Sequence, residues 1–389
     1  MKRLLSLFMA LIICFCFCAC ETKDQKKEVS GDVPSQIVEE TYYICEPEFD
    51  CCYKALTSKQ KQIYKKLLKI SEDMPEGYTY LCRKSVGISA DVSVAFNALI
   101  NDKCEIFWLP NAYTLKNITT QNKTNVYIAF NTKEHSYLVE SKADKDKKLA
   151  KLDQALKQII GQTNGMTEYQ KELYFNDYIC GNTDYLEQGS LNHTAYGCLI
   201  EGKALCEGYS RAFKLLCNKA DIECELITGE ANGESHMWNC VNIEGKHSYV
   251  DVTWNDREDD CKYLYFNITD NQLSHDHTLS PLLSTLTINE IESGKNYNFV
   301  SRVCTYTDNG YYAVNNLGLG YDYINNCAQI IKQEAKKGNE KTAVYLDTSA
   351  AKNSFEQDPS HFILSVQMKL GKILIDKYFF ERDLLVLYF

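Results

Sequence analysis

Residues 202–213 read GKALCEGYSRAF and place one cysteine, Cys206, between a turn of small residues and a predicted helix. The apolar residues that follow recur at helical spacing and predict one buried helix face, made of Ala212, Phe213, Leu216, Cys217 and Ala220. The N–H groups and positive dipole end at a helix N-terminus favour a thiolate, and they can also hold an oxyanion. Since buried cysteines are common and inert, this stretch alone leaves Cys206 either a core thiol or a nucleophile.

A second stretch, SHMWNCVNIEGKHSYVDVTWND at 235–256, has alternating runs on both sides of EGK, which is typical of a β-hairpin. With the turn centred in EGK, Cys240 lies opposite Tyr249. His236 and Asp251 become diagonal neighbours on one face, about 7–8 Å apart at Cα. The opposite face is apolar and is expected to pack into the core; it carries Met237, Val241, Ile243, Val250, Val252 and Trp254. The predicted hairpin therefore presents a histidine and a carboxylate on its other side.

Cys206, His236 and Asp251 are the three side-chain types that thiol catalysis on amides needs. A thiol attacking a carbonyl is helped by an imidazole that takes its proton or pairs with the thiolate. That imidazole is oriented by a third group, usually a carboxylate or an amide. Each residue also has a structural explanation, as a buried thiol, a strand histidine or a surface carboxylate. Their joint presence in this chain order favours a catalytic triad.

The motifs around these residues resemble those of the transglutaminase-like superfamily of papain-like folds. They are G-x-A-x-C-x-G-Y at Cys206, H-x-W-N at His236 and D-x-T-W at Asp251, and all three are intact. The resemblance extends over about residues 55–285 and implies an α+β fold, in which a helix carrying the cysteine packs on an antiparallel sheet carrying the histidine and the aspartate. It also implies acyl transfer from a protein or peptide amide through a thioester. Because no EF-hand-like loop is present, we expect no calcium dependence and no cofactor.

The acceptor of the acyl group stays open, because the same triad serves several outcomes. A lysine amine would give protein cross-linking, whereas water would give deamidation or proteolysis. We prefer the hydrolytic outcome, since an exposed cleft admits water. The alternative from another class is a non-catalytic cell-surface binding module on the same fold.

Three further residues, His193, Tyr209 and Trp238, are candidates for lining the substrate groove. For each of them a structural hydrogen bond or aromatic packing is the competing interpretation. The stretch SHDHT at 274–278 contains a His-x-His pair, which by itself is weak support for a metal ion. We therefore predict no metal site.

The first twenty residues, MKRLLSLFMALIICFCFCAC, have two basic residues followed by an apolar run, the pattern of a secretory signal. The small residue before Cys20 resembles a bacterial lipobox, which implies cleavage before Cys20 and lipidation of its thiol. Plain signal cleavage nearby is the alternative. We expect a lipoprotein signal peptide at 1–20, a flexible tether at 21–54, and an extracytoplasmic protein lipid-anchored to the bacterial cell membrane.

The charge and the cysteine content of the chain limit which partners and metal sites it can have. The formal net charge of −10, without a basic run, argues against nucleic-acid binding. Four of the 18 cysteines lie in the signal segment, and no CxxC pair supports structural zinc; the disulfide pattern stays open. After the catalytic domain predicted at 55–285, residues 286–389 read as a small α/β unit without a chemical motif. A cell-wall component is a possible partner of this unit.

Overall fold

A computed structural model of the chain describes residues 49–257, 263–306, 310–311 and 318–389. The helices are α1 Cys51–Ala55, α2 Ser58–Asp73, α3 Ile88–Asp102, α4 Lys142–Gly161, α5 Glu168–Asn182, α6 Cys206–Lys219, α7 Val252–Asn255, α8 Asp270–Leu273, α9 Ile288–Glu292, α10 Tyr323–Lys336, α11 Ser349–Gln357 and α12 Pro359–Leu370. The strands are β1 Thr79–Arg83, β2 Thr114–Thr120, β3 Lys123–Ala129, β4 Asp184–Tyr185, β5 Lys203–Ala204, β6 Cys224–Ala231, β7 Glu234–Ile243, β8 Lys246–Val250, β9 His277–Leu279, β10 Lys341–Tyr345, β11 Lys377–Glu381 and β12 Leu384–Tyr388. Helices and antiparallel sheets are therefore combined, and the predicted α+β class is confirmed.

The N-terminal helices pack around a sheet of order β1-β3-β2. Thr57 and Thr167 begin α2 and α5 with capping boxes, as expected from Thr-x-x-Gln patterns. The EIFWL stretch at 105–109, which could also have formed a strand, forms turns instead. Phe107 and Trp108 are both buried there. In a strand with one covered face, two consecutive side chains would point to opposite faces, and only one of them would be buried.

Helix α6 lies in the middle of the domain, between α5 and the sheet of order β8-β7-β6-β9. Every residue from 207 to 217 is buried. The predicted buried face of this helix is confirmed, and the residues of 207–217 outside that face are buried as well. Strands β6 and β7 cover one side and helices α4 and α5 cover the other, so that no side of α6 is left for solvent.

The β7–β8 hairpin has the predicted register, with Cys240 opposite Tyr249. Its ladder ends at Val250, because Asp251 begins the short helix α7 as its N-cap. The prediction of one buried and one open side is wrong. Helix α6 covers one side, where Asn239 donates to the Ser210 carbonyl at 3.0 Å. Residues after 263 cover the other.

Residues 318–389 form a second, smaller core around a sheet of order β10-β12-β11. The α/β unit predicted from the sequence appears here as helices α10 to α12 and strands β10 to β12. The YYAVNN stretch at 311–316, whose residues favour a strand, lies outside the described residues apart from Tyr311. Leu385 and Leu387 face the helices of this unit. Leu384 and Val386 belong to the larger core instead. One sheet thus joins the two cores.

Two of the predicted boundaries do not coincide with the packing. The tether was expected to reach residue 54, but Cys51, Cys52 and Tyr53 are buried in helix α1, because their apolar side chains find the core. Likewise, residues 286–304 pack with the larger core, through Ile291 and other residues. The signal segment, its Cys20 and most of the tether lie outside the described residues.

The described part of the chain contains twelve cysteines, and none of them is in a disulfide. In the same part, no helix is both long and apolar enough to cross a membrane.

Candidate active site

Cys206 is the first residue of α6 and is half-buried. The N–H groups of a first helical turn have no partner within the helix, so they surround the thiol with donors. Gly208, two residues further, lies directly against residues 192, 194 and 204 of the preceding segment. A Cβ atom there would lie 2.3 Å from the Asn192 carbonyl oxygen. This glycine therefore lets the preceding segment close over the start of the helix.

His236, on β7, lines the same cleft as Cys206, and its ring is close enough to the thiol for Cys206 to contribute to raising its pKa. Its Nε2 atom lies 2.7 Å from Oδ2 of Asp251. The other carboxylate oxygen of Asp251 accepts the Trp254 N–H at 3.1 Å and caps α7. With Nε2 held by the carboxylate, Nδ1 is the ring nitrogen left for the thiol. The structure therefore brings the three predicted triad residues together in the order that proton transfer requires.

Burial and charge act in opposite directions on these groups. Burial lowers the pKa of His236, but the Asp251 carboxylate and the hydrogen bonds to Asp251 and Cys206 outweigh it and raise that pKa to about 10. Burial raises the pKa of Asp251, whereas His236 and His277 hold it well below its usual range. An imidazolium between a carboxylate and a thiol is the arrangement that stabilises a thiolate.

A second histidine, His277 on β9, lies on the same carboxylate and was not predicted as a site residue. Its Nε2 atom is 3.2 Å from Oδ2 of Asp251, and its Nδ1 atom is 2.6 Å from Oδ1 of Asp276. The side chain is 0% exposed. In the sequence it was visible only as half of a His-x-His pair, because pairing of β9 with β6 is what brings it to Asp251.

The three groove candidates lie in different places. Trp238 is fully buried behind His236, with ring centroids 6.0 Å apart in a stacked arrangement. Tyr209 is also fully buried, and its hydroxyl donates to Asp256 Oδ2 at 2.6 Å. Neither lines the groove in this structure, because both rings pack in the core. His193 is partly exposed and lies 3.1 Å from the Glu207 carboxylate.

A cleft of about 110 Å³ opens beside Cys206 and His236. Its wall combines apolar side chains, such as Ile100, Ile291 and Phe299, with polar ones that were not predicted from the sequence. The polar ones include Ser93, Asn97, Asn101, Ser235, Lys295 and Asn296. Glu207 also lines it and pairs with the Arg211 guanidinium at 2.8 Å. Burial raises the pKa of Glu207, but Arg211 and His193 outweigh it and lower it to about 2. The cleft thus offers hydrogen-bonding groups next to the thiol.

Two clusters within the described residues have donor atoms spaced closely enough for a metal ion: His236 with Asp251 and His277, and Cys51 with Cys52 and Asp102. In the first cluster the ring nitrogens already contact the carboxylate at hydrogen-bond distances. In the second, Asp102 accepts the N–H groups of Cys52 and Tyr53 at 3.1 and 2.8 Å. In both, carboxylate oxygens are engaged in hydrogen bonds.

Residues 154–266 match the family model of the Transglutaminase-like superfamily. Over 64 residues the chain is 31% identical to the kyphoscoliosis peptidases of Mus musculus and Homo sapiens, which is 13% of this chain and 10% of each relative. The chain therefore spans about a tenth of the length of these curated relatives. A crystal structure of a TGase aligns with 14% identity and a TM-score of 0.25, over 38% of this chain and 45% of that one.

The matched range contains Cys206, His236 and Asp251 and ends before His277. Residues 154–266 therefore carry a transglutaminase-like domain, and members of that superfamily are cysteine enzymes.

Proposed function

We propose that this protein is a thiol acyl-transfer enzyme that acts on peptide or side-chain amides. The observation that carries the proposal is the contact of His236 with both partners, Asp251 at 2.7 Å and Cys206, at the first residue of a buried helix. In the proposed reaction, the Cys206 sulfur attacks the amide carbonyl and its proton passes to the His236 ring. The same proton then goes to the leaving amine, so that a thioester remains on Cys206.

The neighbouring groups stabilise the charges of this reaction. Asp251 keeps the His236 ring in one orientation and balances its positive charge. The N–H groups of the first α6 turn face the place where the carbonyl oxygen becomes negative, and such donors are worth about 2.7–4 kcal/mol each in related acyl-transfer sites. Together these features favour a catalytic function over a binding module, which needs none of them.

Water is the acceptor that we propose for the thioester. Cys206 is half-buried rather than enclosed, and the cleft beside it is rich in hydrogen-bonding side chains. Both features admit a water molecule that His236 would deprotonate. The result is hydrolysis of a peptide bond or a side-chain carboxamide; a lysine amine in the same position would give cross-linking.

The cellular setting of the enzyme is also a proposal, and it rests on the sequence alone. The lipobox-like end of the segment at 1–20 supports export and lipidation at Cys20. We propose that the domain works on the outer side of a bacterial cell membrane on a protein or peptide substrate.

Alkylation by iodoacetamide at about pH 6 tests the proposal, because only an activated cysteine is a thiolate there. Cys82 and Cys180 are matched references, since both are half-buried like Cys206. We expect labelling, located by peptide mass spectrometry, to be fastest at Cys206 and to fall to the reference rate in His236→Ala. The exposed His361 provides the control variant His361→Ala, which should label like the wild type.

Equal labelling of Cys206 and the two reference cysteines in the wild type would contradict the proposal. It would favour a non-catalytic module that binds a surface partner, such as a cell-wall component, through the cleft.

A further inference from the structure

The C-terminal unit reaches the back of the candidate active site through one hairpin. Arg382 lies in the two-residue turn between β11 and β12. Its guanidinium sits 4.5 Å from the centre of the Tyr265 ring and donates to the backbone carbonyl of Gln272. Its Nε atom is 3.7 Å from Oδ2 of Asp276. An arginine more than a hundred residues away in sequence thus meets the carboxylate that holds His277.

The turn that carries Arg382 has an unusual backbone for an arginine. Its φ angle is +57°, a conformation that glycine and asparagine adopt more readily. The side chain is only 11% exposed. An arginine kept in such a turn with its side chain buried indicates that the guanidinium contacts matter here.

The hairpin is anchored on both sides of Arg382. Glu381 pairs with Arg257 through two hydrogen bonds of 2.7 and 2.6 Å. On the other side, Leu384 and Val386 are buried in the larger core. The position of the guanidinium relative to Asp276 is therefore set by contacts that are independent of the guanidinium itself.

A row of polar groups, alternately positive and negative, runs from Arg382 to the Cys206 thiol. Asp276 contacts His277 at 2.6 Å, and His277 contacts Asp251 at 3.2 Å. Asp251 contacts His236 at 2.7 Å, which meets Cys206. A guanidinium, a carboxylate, an imidazole, a second carboxylate and a second imidazole follow one another without a gap.

The geometry determines the charge of His277. Each of its two ring nitrogens faces a carboxylate, Asp251 on one side and Asp276 on the other. A neutral imidazole has only one N–H, so one carboxylate would then face a lone pair. A doubly protonated ring satisfies both contacts.

The surroundings of His277 are consistent with that charge. Burial lowers its pKa, but the hydrogen bonds to Asp251 and Asp276 outweigh burial and raise it, against an opposing effect of His236. The other groups against the ring are the Tyr265 ring at 5.6 Å and two indoles, Trp238 and Trp254, at 4.9 and 4.6 Å. Arg382 acts on it through Asp276.

We propose that His277, Asp276 and Arg382 are positioning residues for the catalytic pair, and that the C-terminal hairpin is therefore part of the support of the active site. Arg382 fixes the Asp276 carboxylate, Asp276 keeps His277 charged, and His277 holds Asp251 in place for His236. The inference rests on the proposed function of Cys206 and His236.

The charge of His277 has a consequence with a definite sign. A nearby cation favours the Cys206 thiolate and disfavours the His236 imidazolium, because it attracts the negative charge and repels the positive one. Removing the cation should move the pH dependence of Cys206 alkylation to higher pH. A purely structural role would lower the labelling of Cys206 at every pH without moving the curve.

The test is the pH profile of Cys206 alkylation in the full protein. Two variants change the charge of the row of polar groups while keeping side chains of similar size. In His277→Gln the amide can still donate to Asp251, and in Asp276→Asn the His277 ring can be neutral. The acid limb is the part of the profile in which the alkylation rate of Cys206 rises with pH. In both variants we expect it to shift to higher pH by roughly one unit. Ring-nitrogen NMR should show His277 doubly protonated in the wild type at neutral pH and singly protonated in Asp276→Asn.

The hairpin is tested by Arg382→Met, with Arg382→Lys as the rescue and Glu381→Gln as the matched control. Arg382→Met should move the acid limb in the same direction by a smaller amount, and the lysine should restore part of it. In Glu381→Gln the ion pair with Arg257 is lost, but Leu384 and Val386 still hold the hairpin in the larger core, so this variant should produce no upward shift.

The outcomes separate the two proposals. A wild-type Cys206 that labels like Cys82 and Cys180 would overturn the proposed function and this inference with it. An activated wild-type Cys206 whose acid limb stays in place in His277→Gln and Asp276→Asn would overturn this inference alone. A singly protonated His277 in the wild type would do the same.

Discussion

The Asp251 carboxylate contacts two imidazole rings, one on its cleft side and one on its inner side, and the two rings have different second partners. On the cleft side, His236 shares its second ring nitrogen with the half-buried Cys206. On the inner side, His277 gives its second nitrogen to another carboxylate, Asp276, and has no exposed surface. Both rings contact the same oxygen, Oδ2 of Asp251.

The difference shows that the second partner of a histidine decides its role. A ring between a carboxylate and a thiol can accept and return a proton, because the thiol also exchanges protons. A ring between two carboxylates keeps its proton and acts as a fixed cation. The comparison therefore predicts that changes on the cleft side stop the chemistry, whereas changes on the inner side alter its pH dependence.

Asp251→Asn should have the largest effect, because it removes the group common to both sides. We expect the rate of Cys206 alkylation at about pH 6 to fall by a factor on the order of 10³. Two buried imidazoles would lose their shared carboxylate, so the free energy of unfolding should fall by about 3–5 kcal/mol. Urea unfolding measures the second effect. Asp358→Asn is a matched control, because Asp358 also caps a helix and an asparagine preserves a cap; unchanged labelling in Asp251→Asn would contradict the prediction.

The pair of variants His236→Gln and His277→Gln compares the two sides directly. His236→Gln should lower Cys206 alkylation at about pH 6 by roughly 10²-fold or more, since the acid–base partner is lost. His277→Gln should retain most of the rate measured at the optimum of its own pH curve. Equal losses in the two variants at every pH would show that the two histidines do not differ in role.

The stability of the protein should fall at alkaline pH. The folded pKa of His236, about 10, lies above its value in the unfolded chain, about 6.5. Its contribution is therefore fully present below pH 6.5 and is lost as the pH rises through 10. The slope between these values is at most about 1.4 kcal/mol per pH unit for this group. Urea unfolding at several pH values from neutral upward should show the decline, and His236→Gln should flatten it; an unchanged slope in that variant would assign the decline to other groups.

Tyr209→Phe should have the smallest effect on the chemistry. It removes a buried hydroxyl that contacts Asp256 Oδ2 and the Thr183 carbonyl, and the loss of this hydrogen bonding should cost about 1–3 kcal/mol of unfolding free energy. Because Tyr209 is buried away from the cleft, Cys206 labelling should stay within about threefold of wild type. A larger loss of labelling with unchanged stability would support the original prediction that Tyr209 lines the substrate groove.

Local patterns were sufficient for much of the fold. The cap residues Thr57 and Thr167 mark the starts of α2 and α5, and alternation around a short turn predicts the register of β7 with β8. These features depend on residues close together in the chain. The aromatic EIFWL stretch at 105–109, which favours a strand, forms turns, and the patterns do not reveal that α6 is buried on all sides. Burial from several directions depends on neighbours that are distant in sequence.

The sequence by itself determined the three motifs that meet in the site, since Cys206 begins a helix and His236 and Asp251 belong to one hairpin. Only the tertiary structure determined which residues contact the triad from the inner side of the domain. Pairing of β9 with β6 brings His277 to Asp251, and the packing of the last hairpin against the larger core brings Arg382 to Asp276. Local spacing carries no information on such contacts, because they form only when elements far apart in the chain bury their apolar faces together.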